Sequence, residues 1–449
     1  MERVRAAVAH YNQLLEAHPS VLTDSRDFIK DRIQAEKMIF GGRPLSPYLR
    51  PHFVSAAQWR HITDVCERIW SCVEVVGQAV TTEPRLNADL GITPGEAELI
   101  AIDPGFRGIS VTSRLDSFLT ESAYSFVELN AENPAGISYC EVMGKIFMEL
   151  PVMQEFIKTF PVTPLYARHL LLETLLRAFK DWSGGRDKPN IAIVDWEGLP
   201  TQCEFEQFRE YFIHSGYACE IVAPEKLDYT NGRLRTGDFE IDLVYRRVLT
   251  NDILENPEKC KALIDAYRAH DVCVVNGFRT KFVHKKMFFG VLTDDANAHL
   301  FTEEQRAAIK AHIPWTRRCQ EGHTMYAGQS IDLVSYTRAN RDTLVLKPND
   351  EYGGKGIFIG WESTESEWDD AIQTALAGDY LVQERVSTAQ EIFPHYTPEG
   401  DITFIEQLVD LDPLLFYGKV GGAFTRLSSN ALCNVTSGGG MVPTFILND

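Results

Sequence analysis

Apolar and polar positions change period several times along this chain. Over residues 1–40 the apolar residues Val4, Val8, Tyr11, Leu14 and Leu15 recur at helical spacing and predict one or two amphipathic helices. A breaker-rich connection, FGGRPLSPYLRP at 40–51, leads into a second helical segment over about 56–80. From 99 to 130 the pattern turns to strands, with β segments at 109–113 and 125–129 around a polar link. Helix returns over 137–181, strongest at 141–150 and 165–179, and the run SGGRDKPN at 183–190 reads as a linker. Beyond it, short apolar runs at 191–194, 219–222, 243–246 and 272–276 alternate with helical patterns at 203–215 and 256–270. That alternation predicts an open, mostly parallel α/β layer, with ligand chemistry at the carboxyl ends of its strands. Residues 295–340 read as polar and helical. Apolar runs at 344–346 and 357–359 flank a glycine-bearing loop as a hairpin would, and further strands are expected at 380–386 and 414–420.

The division expected from these patterns has four parts. They are a helical region at 1–98 packing on a core, a segment at 99–182 carrying the first strands, an α/β lobe at 183–280, and a hairpin, hinge and lid at 281–449. A chain of 449 residues is too long for one small core. Its 44% hydrophobic and 24% charged content is ordinary for a globular protein. A formal charge of −19 and a pI near 5.1 argue against a nucleic-acid partner, which needs a basic face. Nine scattered cysteines with no C-x-x-C fit reduced thiols better than a disulfide framework or a zinc site. The acid-bearing N-terminal segment lacks the look of a signal peptide, and no apolar run reaches the length of a membrane span. The expectation is a soluble, cytoplasmic protein with small-molecule partners; nothing in the sequence speaks to oligomeric state.

Candidate chemistry gathers at a few places. In LVLKPNDEYGGKGIFIG (344–360) a buried strand delivers Lys347 to a loop with three glycines. Backbone N–H groups of Gly353 and Gly354 suit a polyphosphate, Lys347 offers an ammonium, and Glu351 a carboxylate for the Mg²⁺ that accompanies ATP. The loop lacks the G-K-[ST] helix opening of a Walker motif, and an ordinary surface hairpin has the same pattern. In VELNAENPAG (127–136) strand alternation puts Glu128 and Asn130 on one face, where both reach one Mg²⁺. Arg114 suits bidentate capture of a substrate carboxylate, with Asp116 holding it; the alternative is a surface strand with a salt bridge. Arg246 and Arg247 end a buried strand, either as a second anion site or as a structural ion pair. Lys285 and Lys286 open a helix that faces phosphates or solvent. Around Gln383, Glu384 and Val386 the 380–386 strand suits an adenine hinge. Arg426 precedes a glycine-rich run at 434–441, which includes Gly439 and would serve as a lid.

Taken together and in this order, these pieces resemble the circularly permuted ATP-grasp ligases, the group of eukaryotic-type glutathione synthetase and glutathionylspermidine-synthase-like proteins. The E-x-N segment precedes the nucleotide hairpin, the inverted order of the permuted subgroup. The resemblance spans roughly residues 114–441 and implies ATP and two Mg²⁺ ions. It implies Lys286 and Lys347 on the nucleotide, Glu128, Asn130 and Glu351 as metal ligands, and Glu132 and Asn133 beside the acyl substrate. Arg114 would contact a substrate carboxylate, with Arg426 as the last substrate-and-ATP element. Two features depart from the family: AENPAG follows the E-x-N, and Ser428 stands where a basic residue is usual. The implied function is an ATP-dependent carboxylate–amine ligase working through an acyl phosphate. Its rivals are a phosphotransferase or a non-catalytic nucleotide-binding protein of the same fold, and a scaffold without nucleotide.

Overall fold

Two antiparallel sheets border one cavity and set the geometry of everything discussed below. The computed structural model describes residues 2–351, 353–397, 399–431 and 439–448. In the larger sheet the strands run in the order Gly440–Val442, Lys419–Ser428, Ile402–Phe416, Thr112–Leu119, Tyr124–Asn130. The 15-residue strand Ile402–Phe416 joins two neighbourhoods. Its first half pairs with Ala389–Tyr396, and its last three residues pair with Thr112, Ser113 and Arg114. Thr112–Leu119 is buried along all but its last residue, so its side chains are dictated by tertiary packing on both faces.

The smaller sheet orders Thr316–Arg318, Tyr380–Glu384, Leu344–Pro348 and Phe358–Ile359, all antiparallel. Strand alternation sends Leu344 and Leu346 into a core with Trp368, Ala371 and Ile372 of the helix Glu365–Ala377. Val345 and Lys347 therefore point the other way, towards the cavity. A capping box of Thr364 and Glu367 starts that helix at a fixed residue, which sets where Trp368 lands.

A third sheet is parallel throughout, in the order Cys273–Val275, Leu243–Arg246, Ile191–Val194, Cys219–Val222. Its near-continuous apolar strands are those of a sheet covered on both faces. A fourth sheet joins segments remote in sequence: Thr444–Leu447 lies between His52–Ser55 and Val162–Pro164. Residues 1–98 thus contribute strands as well as helices. Among the described residues no helix is long and apolar enough to cross a membrane.

Three sequence expectations change. The helix expected over 256–270 is shorter, Lys261–Arg268, and a separate helix, Thr250–Glu255, precedes it. Pro257 removes the α conformation from Asn256 and breaks the run. The 295–340 region contains the strands Thr316–Arg318, His323–Tyr326 and Gln329–Asp332 besides its helices, because polar edge strands carry no apolar alternation to detect. The strand expected at 414–420 is a hairpin turn between Ile402–Phe416 and Lys419–Ser428. Tyr417 and Gly418 both adopt positive φ there, and a Cβ on Gly418 would meet Trp70 at 2.0 Å.

Candidate active site

The cavity between the two antiparallel sheets has a volume of about 420 Å³. One wall is a sheet face built by register. Asp116 opposes Glu128, Arg114 opposes Asn130, and Asp410 opposes Arg426. Opposed antiparallel residues share a face, so these side chains converge. The Arg114 guanidinium grips Asp116 in a bidentate pair, at 2.8 Å to Oδ1 and 2.9 Å to Oδ2. Arg426 pairs with Asp116 and Asp410 and reaches Asp412 at 3.0 Å. The Asn130 amide donates to Asp116 Oδ1 at 3.0 Å and to Glu128 Oε1 at 2.9 Å.

The other wall comes from the smaller sheet. Lys347 Nζ donates to Gln383 Oε1 at 2.7 Å and to the Val127 carbonyl at 3.2 Å. Gly353, Gly354 and Trp361 line the cavity beyond it, and Glu384 and Val386 line it at the hinge. Lys286 approaches from the side, with Nζ 3.2 Å from Glu128 Oε2 and donating to the Glu351 carbonyl at 2.6 Å.

Charge is finely opposed here. Four bases (Arg114, Lys286, Lys347, Arg426) meet four acids (Asp116, Glu128, Asp410, Asp412). Burial works to raise the Glu128 carboxyl, but the ammoniums of Lys286 and Lys347 outweigh it and hold the group well below the usual range. Burial lowers Lys347 to about 8 despite Glu128 nearby. Asp412, buried beside Asp116 and Asp410, is pushed well above an ordinary carboxyl, and Asp410 is raised for the same reason. Carboxylate oxygens of Asp116, Asp410 and Asp412 lie within 4.8 Å of one another. Asp116, Glu128 and the Asn130 amide form a hard-oxygen donor set of the kind Mg²⁺ takes, once the amide turns its oxygen inward.

The sequence-predicted residues divide. Glu128, Lys347, Gly353, Gly354, Gln383, Glu384, Val386 and Arg426 line the cavity, while Arg114, Asn130 and Lys286 bear on it through their neighbours. Five others lie apart. Arg246 and Glu132 are fully buried and paired at 3.0 Å, so Arg246 takes the structural ion-pair alternative rather than facing a substrate. Asn133 is turned to the Arg247 carbonyl. The Glu351 side chain is 41% exposed and 3.6 Å from Lys355, so only its carbonyl bears on the site. Lys285 joins the buried pairs of Glu96 and Asp350, leaving Lys286 alone beside Glu128. At the hinge, the N–H groups of Glu384 and Arg385 are already committed to the Trp315 and Thr343 carbonyls. Gly439 is half-buried just before the strand Gly440–Val442; residues 432–438, most of the expected lid, lie outside the described residues.

Sequence reasoning missed Asp410, Asp412 and Trp361. The alternation D-L-D within QLVDLDPLLF (407–416) was the available signal for the first two, because acids two apart in a strand share a face. Trp361, under the Arg385 guanidinium at 4.1 Å, carried none.

Comparison with known proteins bears on the fold and the family. No curated protein matches the sequence. Among solved structures, a glutathione synthetase-like effector from Globodera pallida superposes with a TM-score of 0.60 at 12% identity, over 96% of this chain and 98% of its own. A putative gamma-glutamylcysteine synthetase from Methylobacillus flagellatus is a looser likeness, at TM-score 0.40 and 10% identity over 85% of each chain. The first shows a shared fold and the second carries no weight. A family model for circularly permuted ATP-grasp proteins matches residues 117–382, from the strand of Asp116 to the hinge. With the E-x-N strand set ahead of the glycine-loop hairpin and the two antiparallel sheets closing one cavity between them, the chain belongs to the circularly permuted ATP-grasp family.

Proposed function

We propose that the protein is an ATP-dependent carboxylate–amine ligase. The observation that carries this reading is the two-walled cavity: oxygen donors from one sheet face Lys347 and the glycine loop of the other across about 420 Å³. ATP would lie with its phosphates between Lys347, Lys286 and the N–H groups of Gly353 and Gly354, and its base at the hinge near Val386 and Trp361. Asp116, Glu128 and Asn130 would hold Mg²⁺, with Asp410 beside them for a second ion; when bound, Mg²⁺ neutralises phosphate charge during transfer. Glu351 joins this set only if its side chain turns inward.

A substrate carboxylate oxygen would attack the γ-phosphorus as the bond to ADP breaks. An amine nitrogen would then attack the acyl carbon, expelling phosphate and losing a proton to form an amide. Arg426, fixed by Asp116 and Asp410, presents its guanidinium where negative charge develops. Arg114 is engaged by Asp116, so its contribution is to fix that carboxylate as much as to receive a substrate.

Calorimetry with a non-hydrolysable ATP analogue tests the reading. Wild type is expected to bind in the presence of Mg²⁺ with micromolar affinity. Lys347→Ala should weaken binding by about tenfold or more, since a charge-assisted contact is worth about 1.5–3 kcal/mol. Folded wild type that binds nothing at millimolar analogue overturns it. ADP release on screening acids against amines would then establish the reaction.

A further inference from the structure

The loop that would cradle phosphates contains Gly353, Gly354 and Gly356, all at positive φ. Such a backbone has many accessible conformations, so its placement needs an anchor. That anchor is visible just before the glycines. Asp350 Oδ1 lies 2.7 Å from Lys281 Nζ, and Oδ2 lies 2.8 Å from Lys285 Nζ and accepts from Asn251 Nδ2 at 3.1 Å. Both lysines are almost wholly buried. Lys285 also meets Glu96 at 2.9 Å, and Lys281 meets Glu132 at 3.4 Å. Glu132 in turn accepts from Arg246 and from the Thr250 N–H, each at 3.0 Å. Three acids (Glu96, Glu132, Asp350) and three bases (Arg246, Lys281, Lys285) close this network.

The residues on either side of Asp350 are tied to the same short segment. The Lys286 N–H donates to the Asn349 carbonyl at 2.9 Å, and the Met287 N–H to Asn349 Oδ1 at 2.8 Å. Lys286 Nζ reaches both the Glu351 carbonyl and Glu128. Residues 281–287 therefore set the loop's position relative to Glu128, with Asp350 the ionic half of the attachment. Displacing the loop would leave two buried ammoniums with only Glu96 and Glu132 to share, an arrangement that buried charge strongly disfavours.

We propose that Asp350 is a positioning residue: it docks the entering end of the nucleotide loop on Lys281 and Lys285, so that Gly353 and Gly354 face Lys347 and Glu128. The nucleotide part of this rests on the ligase reading above; the docking part does not.

Trypsin offers a direct readout, because Lys355 is 79% exposed within the loop. In nucleotide-free protein, Asp350→Asn is expected to speed cleavage after Lys355 by about tenfold, with cleavage at other sites unchanged. Its affinity for a Mg²⁺-dependent ATP analogue should fall by about tenfold, the usual size of lost outer support. Asn251→Ala, which removes one hydrogen bond and no charge, should give about threefold in the same direction and serves if Asp350→Asn does not fold. Wild-type cleavage rates after Lys355 in a folded variant overturn the proposal. Faster cleavage in the variants of a protein whose wild type binds no nucleotide upholds the docking and overturns the ligase reading alone.

Discussion

Glu128 and Glu132 stand four residues apart in VELNAENPAG and enter two charge clusters with opposite character. Glu132 joins Arg246, Lys281, Lys285, Glu96 and Asp350 in a closed, balanced network. There burial opposes the charges of Glu132, Asp350 and Lys281 but neighbours win: Glu132 and Asp350 are held well below the usual carboxyl range, and Lys281 is raised. For these three groups neighbouring charge outweighs the cost of burial. Glu128 belongs to the cluster that lines the cavity, where the outcome is mixed. Lys347 is lowered and Asp410 and Asp412 are raised, so several groups sit in environments that disfavour their charge. The first pattern is that of a tertiary lock, the second that of a site awaiting a charged ligand. Equal numbers of acids and bases do not distinguish them; the direction of each shift does.

The largest effect expected from this contrast is on turnover. Asp116→Asn should reduce ADP release on the order of 10³-fold, since a metal ligand carries several kcal/mol of transition-state stabilisation. The fold should survive, because Asp410 and Asp412 still balance Arg114 and Arg426; unchanged ADP release with native melting would remove Asp116 from the metal site.

Glu132→Gln should act the other way round. It leaves Arg246, Lys281 and Lys285 with two acids in a buried setting, and a destabilisation of about 3–5 kcal/mol is expected as a lower thermal or urea midpoint. A variant that melts like wild type but loses turnover would make Glu132 a site residue after all.

Binding should also depend on pH through Lys347. Below about pH 8 it carries its charge in the free protein; above, it loses it. Affinity for the ATP analogue should fall by about tenfold for each unit above pH 8, and Lys347→Ala should abolish that dependence. Because the folded pKa lies below the ordinary lysine value of 10.5, the unfolded chain binds more protons between about 8 and 10.5. This lysine's contribution to stability therefore rises with pH across that window. An affinity that stays flat from pH 7 to 10 would show that Lys347 does not meet phosphate.

The smallest effect should come from Glu351→Gln. With its carboxylate turned to Lys355 and solvent, ADP release is expected to stay within about threefold of wild type. A hundredfold loss would show that the loop turns Glu351 into the metal set.

Much of the candidate site was legible because local pattern governs it. Lys347 at the end of an apolar run, Gly353 and Gly354 after it, and Glu128 and Asn130 two apart on one strand all follow from period-two alternation and glycine's backbone freedom. The misplacements have a common cause. Arg246, Glu132 and Glu351 were assigned by type and order, yet whether a charged group faces a cavity, a buried partner or water depends on chain segments far away in sequence. Asp410 and Asp412 were hidden by a misread strand: the turn at Tyr417 and Gly418 lies between two long strands whose partners, including Thr112–Leu119, are remote.

By itself the sequence determined most classes of element, the parallel lobe, the glycine-loop hairpin and the inverted order of E-x-N and hairpin, since these rest on hydrophobic period, turn residues and linear succession. Only the tertiary structure decided that Asp116, Asp410 and Arg426 share a face with Glu128, that Lys286 rather than Lys285 reaches it, and that Arg246 is locked away. Those outcomes depend on sheet register and on the balance between burial and neighbouring charge, and neither quantity exists until distant strands are side by side.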